Sequence, residues 1–420
     1  MGRIPVESAS ATEIVVEGKR LTGFGGCNYL GLAHHPEVLN AVKAGLDRYG
    51  LSTTASRETT GDTTSHDSLE TELATFLQAE QCLVTPEGYS ANLALGQALA
   101  RDYRVAITDE KSHRSVSHAV TAAGMRLIAY PHLDARAAGA LAGEYVREGV
   151  VILTDGVFAA DGSIAPAKAL FDVLPKGRAL LVIDDCHGFC VLGRSGRGTA
   201  DHHGLTAAGV PLDSRVVLTT SLAKGLGCYG GALAGPSSII QVAQDIASVY
   251  RGTTPAPPAI IEGSRQALKV VARDPMLIQK LRSNTDRLRR GLQKLGISLY
   301  PTPAPIFTFV TGDFPSMERI HRRLVSEGYL APLIAYPGGP SDQYFRVTVN
   351  AMHSAEQIDG LLAAFGRAID SEPTVKAGLG AEAKPLKFSE GRADGRTGTR
   401  ELIGPWDLSL TPVFSPRLPA

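Results

Sequence analysis

The stretch "LTTSLAKGLGCYGGALAG", residues 218–235, places one lysine, Lys224, between two apolar runs and among small residues and glycines. A solvated surface lysine needs no such surroundings. A phosphate-binding P-loop is also excluded, because its lysine directly follows a glycine, whereas Leu222 and Ala223 precede Lys224. The third interpretation is a lysine that forms an imine, because burial or a neighbouring cation makes such an amine a useful nucleophile. The stretch favours this third interpretation.

Short apolar segments that alternate with helical segments extend outward from this stretch. They cover residues 81–85, 104–108, 149–155, 179–185, 215–220 and 231–235. Continuous apolar strands separated by helices predict an α/β fold, with a mostly parallel central sheet covered by helices on both faces. Such sheets bind ligands at the carboxyl ends of their strands. Polar and glycine-containing segments follow the first five strands, so we expect a ligand site at that edge.

The Pro-rich segment "GTTPAPP", residues 252–258, marks a change in composition. Beyond it, amphipathic helical patterns and two strand-like segments predict a smaller C-terminal α+β domain. We therefore expect four parts, which are an N-terminal arm (1–45), a large domain (46–252), a small domain (253–370) and a tail (371–420).

The composition limits the classes of partner. Lys plus Arg and Asp plus Glu both number 42, which removes the electrostatic argument for nucleic acid or an anionic membrane. Five cysteines, an odd number in a long chain, argue against a disulfide framework and favour a reducing cytoplasm. No apolar run is long enough to cross a bilayer. We expect a cytoplasmic protein without nucleic-acid or membrane partners.

An imine-forming lysine suggests pyridoxal 5'-phosphate, which needs a carboxylate at its ring nitrogen, a donor near its ring oxygen and a flat group over its ring. "VIDDCHGF" supplies Asp184 and His187 three residues apart, and "EKSHRS" supplies His113. "PEGYSAN" supplies a turn into a helix, whose N–H groups suit a phosphate, and Ser221 supplies a hydroxyl.

A metal site is a competing interpretation of "CHGFC", through Cys186, His187 and Cys190. A zinc site normally needs a fourth ligand or a second such cluster, and the sequence shows neither. We therefore expect no metal.

Seven motifs occur in an order that resembles the α-oxoamine synthases, which are pyridoxal-phosphate enzymes of the transferase fold type I. The resemblance runs from about Asn28 to about Asp370. The motifs are "NYLGLAHHPEV", "SRETTGDTTSHDSLETELATF", "GYSANLA", "DEKSHRS", "GVFAADGSIAPAKAL", "VIDDCHGFCVLGRSGRG" and "YFRVTVNAMHSAEQID".

The resemblance implies four catalytic roles. Lys224 would hold the cofactor covalently and act as acid and base at the substrate Cα. Asp184 would bind the pyridine nitrogen, and His187 would contact the ring hydroxyl. His113 would stack on the ring and help position a thioester carbonyl.

The resemblance also implies the binding contacts. The backbone of Gly88 and Tyr89 and the hydroxyl of Ser221 would bind the phosphate. Thr253 or Thr254, between which the sequence does not decide, would reach the phosphate of the other subunit in a homodimer. For the substrate, Arg346 would pair with the α-carboxylate, and Asn28 is a further candidate contact.

The activity that the resemblance implies is condensation of an α-amino acid with an acyl thioester, carried by coenzyme A or a carrier protein. Decarboxylation normally follows and gives an α-amino ketone. Several substrate-facing positions depart from the family pattern, among them Glu87, Arg114, the "FAADG" segment and the "NAM" segment at 350–352. These departures keep an alternative open, which is carbon–carbon bond cleavage or formation of the aldolase type, or racemisation, without a thioester.

Overall fold

The computed structural model describes residues 5–380. Its strands, numbered along the chain, are β1 (Ser8–Ala9), β2 (Glu13–Val16), β3 (Lys19–Gly23), β4 (Gln81–Thr85), β5 (Val105–Asp109), β6 (Arg126–Tyr130), β7 (Val150–Asp155), β8 (Ala179–Asp184), β9 (Val216–Ser221), β10 (Gly231–Gly235), β11 (Ile306–Phe309), β12 (Tyr329–Leu330), β13 (Leu333–Ile334) and β14 (Tyr344–Thr348).

The helices of the same part of the chain cover most of the segments between these strands. They are α1 (Pro36–Tyr49), α2 (Thr64–Leu77), α3 (Gly88–Leu99), α4 (Arg114–Ala122), α5 (Ala135–Tyr145), α6 (Ala167–Asp172), α7 (Thr199–His202), α8 (Ser237–Ile246), α9 (Pro258–Arg273), α10 (Met276–Lys294), α11 (Phe314–Ser326), α12 (Ala355–Asp370) and α13 (Pro373–Gly380).

A seven-stranded sheet forms the centre of the molecule, in the order β4-β10-β9-β8-β7-β5-β6. The contacts β9–β8, β8–β7, β7–β5 and β5–β6 are parallel, whereas β10 runs antiparallel to both β9 and β4. This confirms the expected α/β fold. Because six strands share one direction, the segments that follow β4, β5, β7, β8 and β9 meet at one edge of the sheet.

Alternate residues of the central strands pack into separate hydrophobic clusters, one on each face of the sheet. Ile152 and Ile183 belong to the cluster that includes α5 and α6, whereas Val151 and Val182 pack with α3 and α4. A sheet buried on both faces needs apolar side chains at every position. This explains why the strands appear in the sequence as continuous apolar runs.

The structure adds an edge strand, β6, that we did not predict from the sequence. It begins with the exposed Arg126, and its next three residues are only half-buried. An edge strand that is open to solvent lacks the continuous apolar run of its neighbours, so the pattern was too weak to identify it.

The smaller C-terminal region contains an antiparallel sheet of order β11-β14-β13, packed with α10, α11 and α12 around its own hydrophobic cluster. Strands β1–β3 of the predicted N-terminal arm join β12 in a four-stranded sheet. The four-part division of the chain remains a prediction. Helix α13 lies in the predicted tail, whose residues 381–420 are outside the described part of the chain. Over residues 5–380, no helix is long and apolar enough to cross a membrane.

His353 joins the N-terminal strands to the segment after β14. Its buried imidazole donates from Nε2 to the carbonyl of Gly23 at 3.1 Å and accepts at Nδ1 from the N–H of Asn350, also at 3.1 Å. The ring stacks on Phe24 with centroids 4.3 Å apart. The contact at Nδ1 needs the neutral imidazole, because a protonated Nδ1 could not accept, and burial lowers the pKa of His353 to about 4.

We expect His353 to make the folded protein sensitive to acid. Its pKa is lower in the folded than in the unfolded chain, so its stabilising effect is complete above about pH 6.5 and is lost as the pH falls towards 4. At about pH 5 the loss is roughly 2 kcal/mol relative to pH 7. Urea unfolding at both pH values should show a smaller acid-induced loss in His353→Phe than in wild type. The exposed His34→Phe is the matched control, and an unchanged pH dependence in His353→Phe would contradict the assignment.

Candidate active site

A cavity of about 300 Å³ lies at the carboxyl edge of the central sheet. Seven of the predicted site residues line it, namely Gly88, Tyr89, His113, Asp184, His187, Ser221 and Lys224. The other lining residues are Glu87, Ser115, Asp155, Val157, Ala159, Cys186, Ala223, Tyr229 and Gly230. The remaining predicted residues, Asn28, Thr253, Thr254 and Arg346, lie outside this lining.

Lys224 stands in the turn between β9 and β10, and the close packing of that turn explains its small residues. A Cβ on Gly225 would lie 2.3 Å from the carbonyl oxygen of Phe189. Only glycine can therefore follow the lysine without moving the segment that carries His187. Gly225 thus lets the backbone of the turn that carries Lys224 pack against the "DDCHGF" loop.

Lys224 is the first member of a short polar chain. Its Nζ lies 2.9 Å from Nε2 of His187, and Nδ1 of His187 lies 2.8 Å from the hydroxyl of the buried Tyr29. Burial and the nearby Lys224 hold the pKa of His187 well below its usual value. The neutral imidazole therefore accepts a hydrogen bond from Nζ of Lys224 at Nε2 and donates one from Nδ1 to the hydroxyl of Tyr29.

The charge on Lys224 is set by opposing effects. Burial lowers the pKa of the amine, but Cys186, Cys27, Asp184 and Asp155 together outweigh it and raise the pKa above its usual value. In this arrangement the lysine is an ammonium. An amine that attacks a carbonyl must first lose this proton, because only the neutral amine is a nucleophile.

Asp184 ends β8 and is held on both oxygens. Its Oδ2 accepts from Nδ2 of Asn92 at 2.7 Å, and its Oδ1 accepts from the N–H of Cys186 at 3.1 Å. Thr219 holds Asn92 in turn, by donating to its Oδ1 at 2.7 Å. Asp184 and Asn92 are each 4% exposed, so the carboxylate has a fixed direction in a dry environment.

His113 precedes α4 and caps it. The N–H of Ser115 and its hydroxyl both approach Nδ1 of His113, at 3.3 and 2.7 Å, and Asp155 accepts the backbone N–H of His113 at 3.0 Å. Burial lowers the pKa of His113, so the ring is neutral near pH 7. A flat, neutral imidazole therefore forms part of the cavity wall.

The N-terminus of α3 forms one end of the cavity, at Gly88. The hydroxyl of Ser90 accepts the N–H of Glu87 at 3.1 Å and fixes the first turn of the helix. A Cβ on Gly88 would lie 2.9 Å from Cβ of Ser221, so glycine leaves this end open beside the Ser221 hydroxyl. Free N–H groups and the helix dipole make such an end suitable for a phosphate.

The predicted substrate contacts lie farther from the cavity. Nε of Arg346 donates to the carbonyl of the lining residue Ala159 at 2.9 Å, and its guanidinium also interacts with Tyr29 and Cys27. Asn28 instead accepts the N–H of Ala33 at 3.3 Å within its own turn. It is the neighbouring residue, Cys27, that interacts with Arg346.

The structure adds residues that the sequence analysis did not assign. Asn92 orients Asp184, Ser115 contacts His113, and Cys186 lines the cavity beside Asp184. Asn92 stands four residues after Gly88, which is about one helical turn. That spacing was the only sequence signal for it. Within residues 5–380, no group of three or more His, Cys, Asp or Glu could hold a metal ion.

The donor set fits pyridoxal 5'-phosphate. The cavity brings together a lysine amine, a buried carboxylate, a flat imidazole and an open helix N-terminus. Its volume is at the lower end of the range for small-molecule sites.

Comparisons with known proteins identify the family of this chain. The sequence model of the family "Aminotransferase class I and II" matches residues 19–365. An 8-amino-7-oxononanoate synthase of Methylococcus capsulatus is 39% identical over 368 residues, which are 87% of this chain and 94% of the relative. One of Thioalkalivibrio sulfidiphilus is 36% identical over 366 residues, 87% of this chain and 92% of the relative. A solved serine palmitoyltransferase of Sphingomonas wittichii has a TM-score of 0.82 and 25% identity, and covers 88% of this chain and 93% of that one.

The chain belongs to the aminotransferase class I and II family, whose fold it shares. Within that family it is an α-oxoamine synthase, and hence an acyltransferase that depends on pyridoxal 5'-phosphate.

Gly231 provides a test of the cofactor site. A Cβ there would lie 2.2 Å from the carbonyl oxygen of Glu87 and 2.6 Å from the nitrogen of Gly88, so Gly231→Ala should displace the start of α3. We expect the Kd for pyridoxal 5'-phosphate to rise about tenfold, which corresponds to about 1.4 kcal/mol. Absorbance titration of the cofactor-free protein measures this change. Gly143→Ala, where a Cβ meets nothing within 4 Å, is the control. Equal affinity of the two variants would show that this end of the cavity does not bind the cofactor.

Proposed function

We propose that this chain condenses alanine with a pimeloyl thioester, releases carbon dioxide and thiol, and forms 8-amino-7-oxononanoate. Curated relatives at 34–39% identity bear the name of that synthase, and the chain spans more than nine-tenths of each of them. The product has a methyl group next to its amino-bearing carbon, which identifies alanine as the amino acid. Its remaining seven carbons end in a carboxylate, which identifies the acyl group. None of these three relatives is named as a lyase or a racemase.

Lys224 is proposed to hold the cofactor covalently and then to move the proton at the substrate Cα. When bound, pyridoxal 5'-phosphate supplies an electron-accepting ring conjugated to the substrate nitrogen. The contact between Lys224 and His187 keeps the amine at the edge of the cavity, where it can reach that carbon. His187 lies beside the same amine and is proposed to contact the ring hydroxyl.

Asp184 is proposed to keep the pyridine nitrogen protonated. A carboxylate held in a dry site interacts with a cation more strongly than one in water. The contacts with Asn92 and Cys186 hold both of its oxygens, so Asp184 need not reorganise during the reaction. His113 is proposed to stack on the face of the pyridine ring.

The phosphate contacts are proposed at Gly88, Tyr89 and Ser221, which line the same end of the cavity. Between the two threonines, Thr254 is the better candidate for the phosphate of the other subunit. The hydroxyl of Thr253 already donates to the carbonyls of Val249 and Tyr250, both at 3.1 Å, whereas Thr254 is exposed.

Arg346 is proposed to pair with the substrate α-carboxylate until that group leaves. Its Nε is hydrogen-bonded to the lining residue Ala159, which holds the guanidinium beside the cavity, and a planar guanidinium suits the two oxygens of a carboxylate. Asn28 stays a candidate substrate contact. The protein is proposed to act in the cytoplasm.

The proposed reaction can be tested with purified protein. Alanine and pimeloyl thioester should give carbon dioxide, free thiol and the α-amino ketone in equal amounts, and borohydride should fix the cofactor to Lys224, as located by mass spectrometry. Lys224→Ala should reduce turnover by at least about a thousandfold. Lys168→Ala, which removes an exposed lysine paired with Asp172, is the control. Exchange of the alanine α-proton without thiol release from any acyl thioester would contradict the proposal.

The proposed homodimer predicts that sedimentation equilibrium gives twice the mass of one chain. Loss of the Thr254 hydroxyl should then raise the Kd for pyridoxal 5'-phosphate about tenfold, since a hydrogen bond to a charged group contributes about 1.5 kcal/mol. The effect should disappear if the dimer is dissociated. A fully active monomer would refute the proposal, and a loss of affinity in Thr253→Ala alone would reverse the choice of threonine.

A further inference from the structure

We propose that Asn92 and Ser115 hold His113 in a single neutral tautomer, with its proton on Nε2, so that the imidazole offers an N–H to the thioester carbonyl. Both are thus positioning residues that act through His113. The role of the N–H rests on the proposed function, whereas the tautomer follows from contacts within the chain.

The direction of each hydrogen bond in this network starts from Asp184. The carboxylate of Asp184 accepts the N–H of Cys186 and has no proton to donate. The contact with Asn92 must therefore be a donation from Nδ2 of Asn92 to Asp184, at 2.7 Å. The hydroxyl of Thr219 donates to the other end of the amide. The second hydrogen on Nδ2 of Asn92 then points to Oγ of Ser115, at 2.9 Å.

The hydroxyl of Ser115 transmits this direction to His113. Because it accepts from Asn92, it gives its single proton to Nδ1 of His113 at 2.7 Å. The backbone N–H of Ser115 donates to the same nitrogen at 3.3 Å. A backbone N–H cannot reverse its role, so Nδ1 carries a lone pair and the ring proton lies on Nε2.

The surroundings of His113 keep the ring uncharged. Protonation of Nδ1 would direct an N–H at two donors. Of the charged groups near the ring, Asp184 favours the imidazolium, while Lys224 and Arg114 oppose it. Asp155 accepts the backbone N–H of His113. Burial adds to the opposing effects.

A neutral Nε2–H suits the proposed condensation. It is the polar atom that His113 can offer to a ligand in the cavity that it lines. A donor directed at a carbonyl stabilises the charge that develops on its oxygen when carbon attacks the thioester. An uncharged ring provides this without repelling the ammonium of Lys224.

Heteronuclear NMR of the histidine ring nitrogens tests the tautomer directly, with and without pyridoxal 5'-phosphate. His113→Asn identifies the resonances of His113. Wild type should show an unprotonated Nδ1 and a protonated Nε2. In Ser115→Ala, which removes the stronger donor, the Nδ1–H tautomer should become populated. A protonated Nδ1 in wild type, or an even mixture of tautomers, would overturn the proposal whatever reaction the enzyme catalyses.

Kinetics of the cofactor-loaded enzyme test the role of the N–H. Ser115→Ala should slow condensation about tenfold more than it slows exchange of the alanine α-proton with solvent, because only condensation uses the thioester carbonyl. Ser115→Thr should restore most of the condensation rate. Ser117→Ala, on the same helix and outside the network, should change neither rate. Equal losses in exchange and condensation would reduce Ser115 to structural support. Absence of condensation in wild type would refute the proposed function and leave the NMR result standing.

Discussion

The hydrogen bond between Asn92 and Asp184 is the contact on which the arrangement of the site depends. It joins the first turns of α3 to the end of β8, and through them the open helix terminus to the buried carboxylate. Two polar side chains this deeply buried are stable only when their partners are complete. Thr219 and the N–H of Cys186 complete them, so the carboxylate has one direction available to it.

Two histidines of the site, His113 and His187, are neutral for the same reason, which is burial near cationic groups. Their hydrogen-bonding partners differ, however. His113 accepts at Nδ1 from Ser115, whereas His187 accepts at Nε2 from Lys224. The two imidazoles therefore accept through different ring nitrogens, and their proposed roles, at the ring face and the ring hydroxyl, differ as well.

The small region and the N-terminal strands belong to the site as well as to the fold. Tyr29 comes from the N-terminal segment and reaches His187, and Arg346 comes from β14 and binds the carbonyl of Ala159. His353 ties the same two regions together through Gly23 and Phe24. Arg346, the proposed partner of the substrate carboxylate, lies on β14. A small movement of the C-terminal region would therefore change the position of the substrate relative to Lys224.

The sequence by itself determined the α/β class, six of the seven central strands and the lysine, aspartate and histidines that meet at the sheet edge, because continuous apolar runs and short motifs are local signals. It could not show that β10 runs antiparallel, since the alternation of side chains is the same in either direction. It also missed β6, whose exposed edge weakens the apolar pattern. Only the tertiary structure decided that Asn92, Ser115 and Tyr29 orient these groups, and that the Thr253 hydroxyl is occupied within its own chain. Such contacts join positions far apart in the chain, and their hydrogen-bond directions follow from geometry that no local pattern contains.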